Sequence, residues 1–136
     1  MALVVTLAGL WLGSAPPPPP PDPSQMSDAQ VRDQIARVRQ YTLAVLSTGS
    51  APEPPAAELA ALQAEHLRYL FTLKRDGVAA LAGPLGAHPH IRGLIIFATS
   101  DVEAARQLAA ADPLVRRDLL RADVYAFFGI PGDVLP

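Results

Sequence analysis

Two segments of this chain, residues 94–97 (LIIF) and 124–128 (VYAFF), are apolar at every position. Short β-branched and aromatic runs without alternation read as strands buried on both faces. The other patterns supply helices for only one face of a sheet, so something further must cover the second.

The elements follow in order along the chain. Residues 41–46 (YTLAVL) read as a first strand, and a Pro-, Gly- and Ser-rich loop leads into a helix over 58–76. Leu59, Leu62, Tyr69, Leu70 and Leu73 form its apolar stripe. Lys74 and Arg75 suit the last turn, and Gly77 supplies a left-handed cap. A second strand, 78–83 (VAALAG), ends at the turn pair Gly83-Pro84. The loop through His88-Pro89-His90 leads to a third strand, 92–98 (RGLIIFA). Ser100 with Glu103 marks a capping box for a helix reaching about residue 110, with Val102, Ala105, Leu108 and Ala109 available for packing. Asp112-Pro113 breaks that helix and starts a helical turn over 114–119. Residues 124–128 are the fourth strand. The order β-α-β-β-α-β defines an α+β, ferredoxin-like fold with one antiparallel sheet and both main helices on one face. A second subunit's sheet is the simplest cover for the other face, which predicts a homodimer closing a barrel-like core.

The N-terminal quarter is organised differently. Residues 2–13 (ALVVTLAGLWLG) are an apolar run of signal-peptide length, too short for a stable membrane span, and small residues follow. No Lys or Arg precedes the run, and Pro16 would follow the most obvious cleavage point. Export to the periplasm or medium, and a cytoplasmic chain opening at Met26, are the two readings. Pro16 to Pro21, then Asp22 and Pro23, form an extended spacer. Ser27 and Gln30 give a capping-box signature for a short helix whose Val31, Ile35 and Val38 share one face, predicted to pack against the domain. The division is therefore a leader and linker over 1–25, a short helix over 26–40, and a domain over 41–136.

Composition excludes several classes. Net charge is -2 with the basic residues scattered, which argues against nucleic-acid binding. There is no cysteine, hence no disulfide, thiolate metal site or cysteine nucleophile. Phosphate-cradling glycine loops and the Gly-x-Ser-x-Gly elbow are missing as well. His88 and His90 flank a proline without a positioned third ligand and read as loop residues; nothing calls for a metal or cofactor.

His66 is the anomaly. It sits mid-stripe, seven residues after Leu59 and seven before Leu73. An imidazole in a leucine's place costs free energy unless its nitrogens find partners. It is either a satisfied core histidine or a proton-transfer group. Tyr69 lies one turn away, able to pack or to reach the same cavity. Asp112 before Pro113 reads by itself as a helix N-cap.

His66-Leu67-Arg68-Tyr69-Leu70, Asp76-Gly77, Ala82-Gly83-Pro84-Leu85, Gly93-Leu94-Ile95-Ile96-Phe97 and Ala110-Ala111-Asp112-Pro113-Leu114-Val115, in this order and spacing, resemble the YCII-related (YciI-like) family. The resemblance covers about residues 41–128. It implies a dimeric α+β barrel on the ferredoxin-like fold, and an active site in which His66 and Asp112 act together. It further implies metal-free proton transfer, of the lyase or isomerase kind, on a small polar organic molecule. Gly83 and Pro84 would then edge the pocket by backbone geometry. Capping and pairing compete for the oxygens of Asp112, although one carboxylate can accept several hydrogen bonds. Where the family often continues with glycine, this chain has Arg116-Arg117-Asp118. That basic pair either attracts an anionic substrate or forms a solvated face. A non-catalytic ligand-binding module and an exported interaction module are the alternative functions.

Overall fold

Burial alternates along Arg39–Thr48 (β1): Thr42, Ala44 and Leu46 are buried, while Tyr41, Leu43, Val45 and Ser47 are half-buried. This period of two is that of a strand with helices on one side only. β1 lies inside a four-stranded antiparallel sheet with Ala79–Pro84 (β2), Ile91–Phe97 (β3) and Leu120–Gly129 (β4), in the order β2-β3-β1-β4. The computed structural model describes residues 16–133 and residue 135. The apolar leader over 2–13, with the expectation of its cleavage, lies outside the described residues.

Two helices cover one face. Ala56–Arg75 (α2) presents Leu62, Leu70 and Leu73, and Val102–Ala110 (α3) presents Ala105 and Ala109. They close over Ala44, Leu46, Ala79, Ile95, Phe97 and Val124. Full burial of a Leu, Ile or Phe side chain is worth about 1.5–3 kcal/mol, so this layer is the main source of stability. The small α3 residues let that helix approach the sheet closely. Gly77 turns with φ +71°, and the Val78 amide returns to the Leu73 carbonyl at 2.9 Å, closing α2 as its sequence predicts. The fold is α+β and ferredoxin-like.

Boundaries differ from the sequence expectations where pairing partners, not apolarity, set them. β1 and β4 pair along ten positions, from Arg39–Gly129 to Thr48–Leu120, so the polar Arg121 and Asp123 belong to β4. The short helix is Pro113–Arg116 (α4) rather than a turn extending to 119. Asp118 ends that segment with φ +53°, a conformation that Asp tolerates better than most residues. The Asp118 carbonyl then accepts the Ala51 amide at 3.0 Å, and the Leu119 carbonyl accepts Gly49 N–H at 3.0 Å. A Cβ at position 49 would stand 2.0 Å from the Asp118 oxygen, so this crossing requires glycine. The α3 cap is Asp101, not Ser100: its Oδ1 accepts the amides of Glu103 and Ala104 at 2.9 and 3.1 Å.

The N-terminal segment departs most. Residues 16–22 are exposed, and a single 3-10 turn, Pro23–Gln25, is capped by Asp22. Asp28–Arg37 (α1) carries the predicted capping box, with the Ser27 amide donating to Gln30 Oε1 at 2.8 Å and the Gln30 amide to Ser27 Oγ at 3.3 Å. It does not pack against the domain as expected, because Val31 and Ile35 are 41% and 65% exposed. β1 begins at Arg39, immediately after the C-cap Val38, so the helix leaves at the end of the sheet rather than folding back over it. The helix-free face therefore carries Tyr41, Leu43, Val45, Leu94, Ile96 and Phe127, half-buried, and the exposed Tyr125, all placed on one side by register.

Candidate functional site

α2 holds its stripe against the sheet and so carries His66 into the interior between Leu62 and Leu70. There the imidazole meets the start of α4. His66 Nδ1 donates to Asp112 Oδ2 at 2.6 Å. The Asp112 side chain is fully buried, and that of His66 is 15% exposed. An ionised carboxylate only accepts, so the proton of this bond is carried by Nδ1, and in the neutral ring Nε2 is then the free nitrogen.

Asp112 is also the N-cap of α4, followed by Pro113 in the first turn. Its Oδ1 accepts the Leu114 amide at 2.9 Å. The competition read from sequence between capping and pairing is thus absent, because each role takes a different oxygen. Capping fixes the carboxylate plane, and that plane aims the second oxygen at His66. A fully buried carboxylate needs both partners; removing one partner of a buried pair typically costs about 3–5 kcal/mol.

Tyr69 holds the two halves of the site together. Its hydroxyl donates to the Leu108 carbonyl at 2.8 Å, tying α2 to the end of α3 four residues before Asp112. Burial, and then the Asp112 charge, push its phenol above the ordinary value of 10.0. The hydroxyl proton is committed to this brace. Gly83 and Pro84 stand elsewhere, at the end of β2 opposite Leu94 and Gly93. Gly83 shares the helix-free face by register, and the hydrogen bonds of the His66 cluster involve neither residue. His88 braces its own loop, Nδ1 accepting the amides of His90 and Ile91 at 3.1 and 2.7 Å. Among the described residues no group of three His, Asp or Glu side chains is placed to hold a metal ion.

Beside the pair, α2 and α4 leave a shallow cleft of about 270 Å³ lined by Leu62, Glu65, Pro113, Arg116 and Arg117. Sequence periodicity gives no hint of Glu65, which is simply polar on a polar face. The Arg116-Arg117 pair was visible as a departure from a glycine, but not the different positions of its members. Arg117 bonds Glu58 in the first turn of α2, at 2.6 Å, across exposed surface.

A sequence model of the YCII-related domain matches residues 32–127. The chain belongs to the YCII-related domain family. Among solved structures, a crystal structure of muconolactone isomerase superposes with a TM-score of 0.54 at 16% identity, over 71% of this chain and 96% of that one. That likeness is one of fold. No curated protein matches the chain. No helix among the described residues is long and apolar enough to cross a membrane.

The Tyr69 environment makes an alkaline prediction. The native phenol keeps its proton to higher pH than the unfolded chain does. Its contribution to stability is therefore complete below about pH 10 and is lost as pH rises through the native value. Ultraviolet difference titration of wild type against Tyr69→Phe should show the missing ionisation above the ordinary tyrosine range. A missing step at or below that range would contradict the geometry.

Proposed function

We propose that this YCII-related protein is a small homodimeric enzyme in which His66 moves a proton on a small polar organic molecule and Asp112 orients it. The observation that carries the reading is the 2.6 Å bond from His66 Nδ1 to a fully buried Asp112 carboxylate. Such a partner fixes the neutral tautomer, leaves Nε2 basic, and stabilises the imidazolium formed when a substrate proton is taken. Returning that proton to another atom gives an isomerisation; returning it to a leaving group gives an elimination. The structural neighbour is an isomerase by name, and proton relocation is chemistry that a His–Asp pair supplies.

Hydrogen–deuterium exchange of a panel of small carbon acids in heavy water, followed by proton NMR, tests the role without presuming a product. Wild type should accelerate exchange in at least one class of compound. His66→Gln should lose that acceleration by about 10²–10⁴-fold, the usual contribution of a positioned general base. Asp112→Asn keeps a good N-cap while removing the charge, and should fall substantially with the fold intact. Exchange that survives His66→Gln at wild-type rate would contradict the proposal.

The homodimer is supported by the helix-free face, where Leu43, Val45, Leu94, Ile96 and Phe127 are apolar and only half covered. Apolar surface this continuous is characteristic of association sites. Sedimentation equilibrium should give a dimer for the wild type and a shift toward monomer for Tyr125→Lys, which puts a charge at an exposed point of that face. A wild type that sediments as a monomer would contradict the assembly.

A further inference from the structure

The cleft between α2 and α4 touches the neighbours of both site residues: Leu62 lies one turn before His66, Glu65 directly before it, and Pro113 directly after Asp112. Its two arginines are not equivalent. Arg117 is held by Glu58, whereas the Arg116 side chain has no hydrogen-bond or ion-pair partner among the described residues, and neither has that of Glu65. A free guanidinium and a free carboxylate thus line one small cleft with an apolar side made by Leu62 and Pro113.

From this arrangement we infer that the cleft binds a small hydroxycarboxylate, with the ligand's carboxylate on Arg116 and its hydroxyl donating to Glu65. The guanidinium fork matches a carboxylate by two parallel N–H···O bonds, a geometry no other side chain offers as well. Glu65 repels a bare anion but accepts from a hydroxyl, so it selects a ligand carrying both groups over a simple anion. The carbon between them rests on Leu62 and Pro113. At about 270 Å³ the cleft has room for a small hydroxycarboxylate. Because Leu62 and Glu65 flank His66 on α2, a ligand seated there would name the substrate class for the proton transfer proposed above, and to that extent the inference rests on that reading. Binding itself does not.

Glycolate is the probe, with glycolamide as its neutral counterpart, acetate as the analogue lacking a hydroxyl, and chloride as the control for ionic strength. Titrations of the full-length protein are followed by the backbone amides of Glu65, Leu114 and Arg116 in ¹H–¹⁵N spectra. Glycolate should shift these signals saturably, more tightly than acetate, and glycolamide should not. Arg116→Gln should weaken glycolate by about tenfold or more, as expected for a charge-assisted bidentate contact. Arg117→Gln should leave it nearly unchanged, because that side chain is already occupied by Glu58. Glu65→Gln should reduce the preference for glycolate over acetate. His66→Gln should still bind glycolate, which separates this inference from the proton-transfer reading. If exchange activity fails while glycolate binds through Arg116, the anion site stands and the enzymatic reading falls. No saturable shift, an effect matched by chloride or glycolamide, or equal losses in the two arginine variants would overturn the inference.

Discussion

The Asp112 carboxylate is the constraint on which the site depends. One oxygen takes the Leu114 amide and thereby starts α4; the other takes His66 Nδ1. The two roles together are not available to a residue with a single acceptor, and neither partner can be removed without leaving a buried oxygen unpaired. The same carboxylate therefore ends one segment, begins another and defines the chemistry of the histidine. Around it, the Tyr69 hydroxyl fastens α2 to α3, so the distance between His66 and Asp112 follows from helix packing rather than from a mobile loop. A site supported on packed elements in this way holds its geometry before any ligand arrives.

Much of the architecture was legible because the chain states its periods strongly. A leucine stripe at helical spacing and doubly apolar strands leave few alternatives to a helix-covered antiparallel sheet. His66 stood out for the same reason, since an imidazole interrupts a pattern that is otherwise uniform. Ends of elements were less legible. β4 extends through Arg121 and Asp123 because it has β1 to pair with along its whole length, and hydrogen-bond partners distant in sequence leave no local mark. Asp101 takes the cap from Ser100, one residue away, on local geometry that composition does not distinguish. For α1, a short apolar stripe suggested docking, yet the abrupt start of β1 carries the helix away from the sheet.

The pairing of His66 with Asp112 illustrates a different limit. Forty-six positions separate them, and Asp112 alone reads as a cap. Family resemblance supplied the partner; the structure supplies the reason that the two roles are compatible. The cleft was beyond the sequence, because Glu65 and Arg116 come to line one cleft only through the packing of α4 on α2. Two surfaces are likewise defined by what does not cover them: the helix-free face of the sheet and the exposed stripe of α1. The first is continuous and apolar enough to form the core of an assembly; the second is narrow.

The tautomer of His66 tests the central geometry most directly. The chain has three histidines, so long-range ¹H–¹⁵N spectra of protein labelled at histidine can be assigned with a single His66→Gln variant. The neutral ring of His66 should carry its proton on Nδ1, with Nε2 unprotonated, and Asp112→Ala should disturb that preference. A native His66 protonated on Nε2, with Nδ1 as the free nitrogen, would contradict a hydrogen bond from Nδ1 to Asp112 and the proton-transfer role built on it.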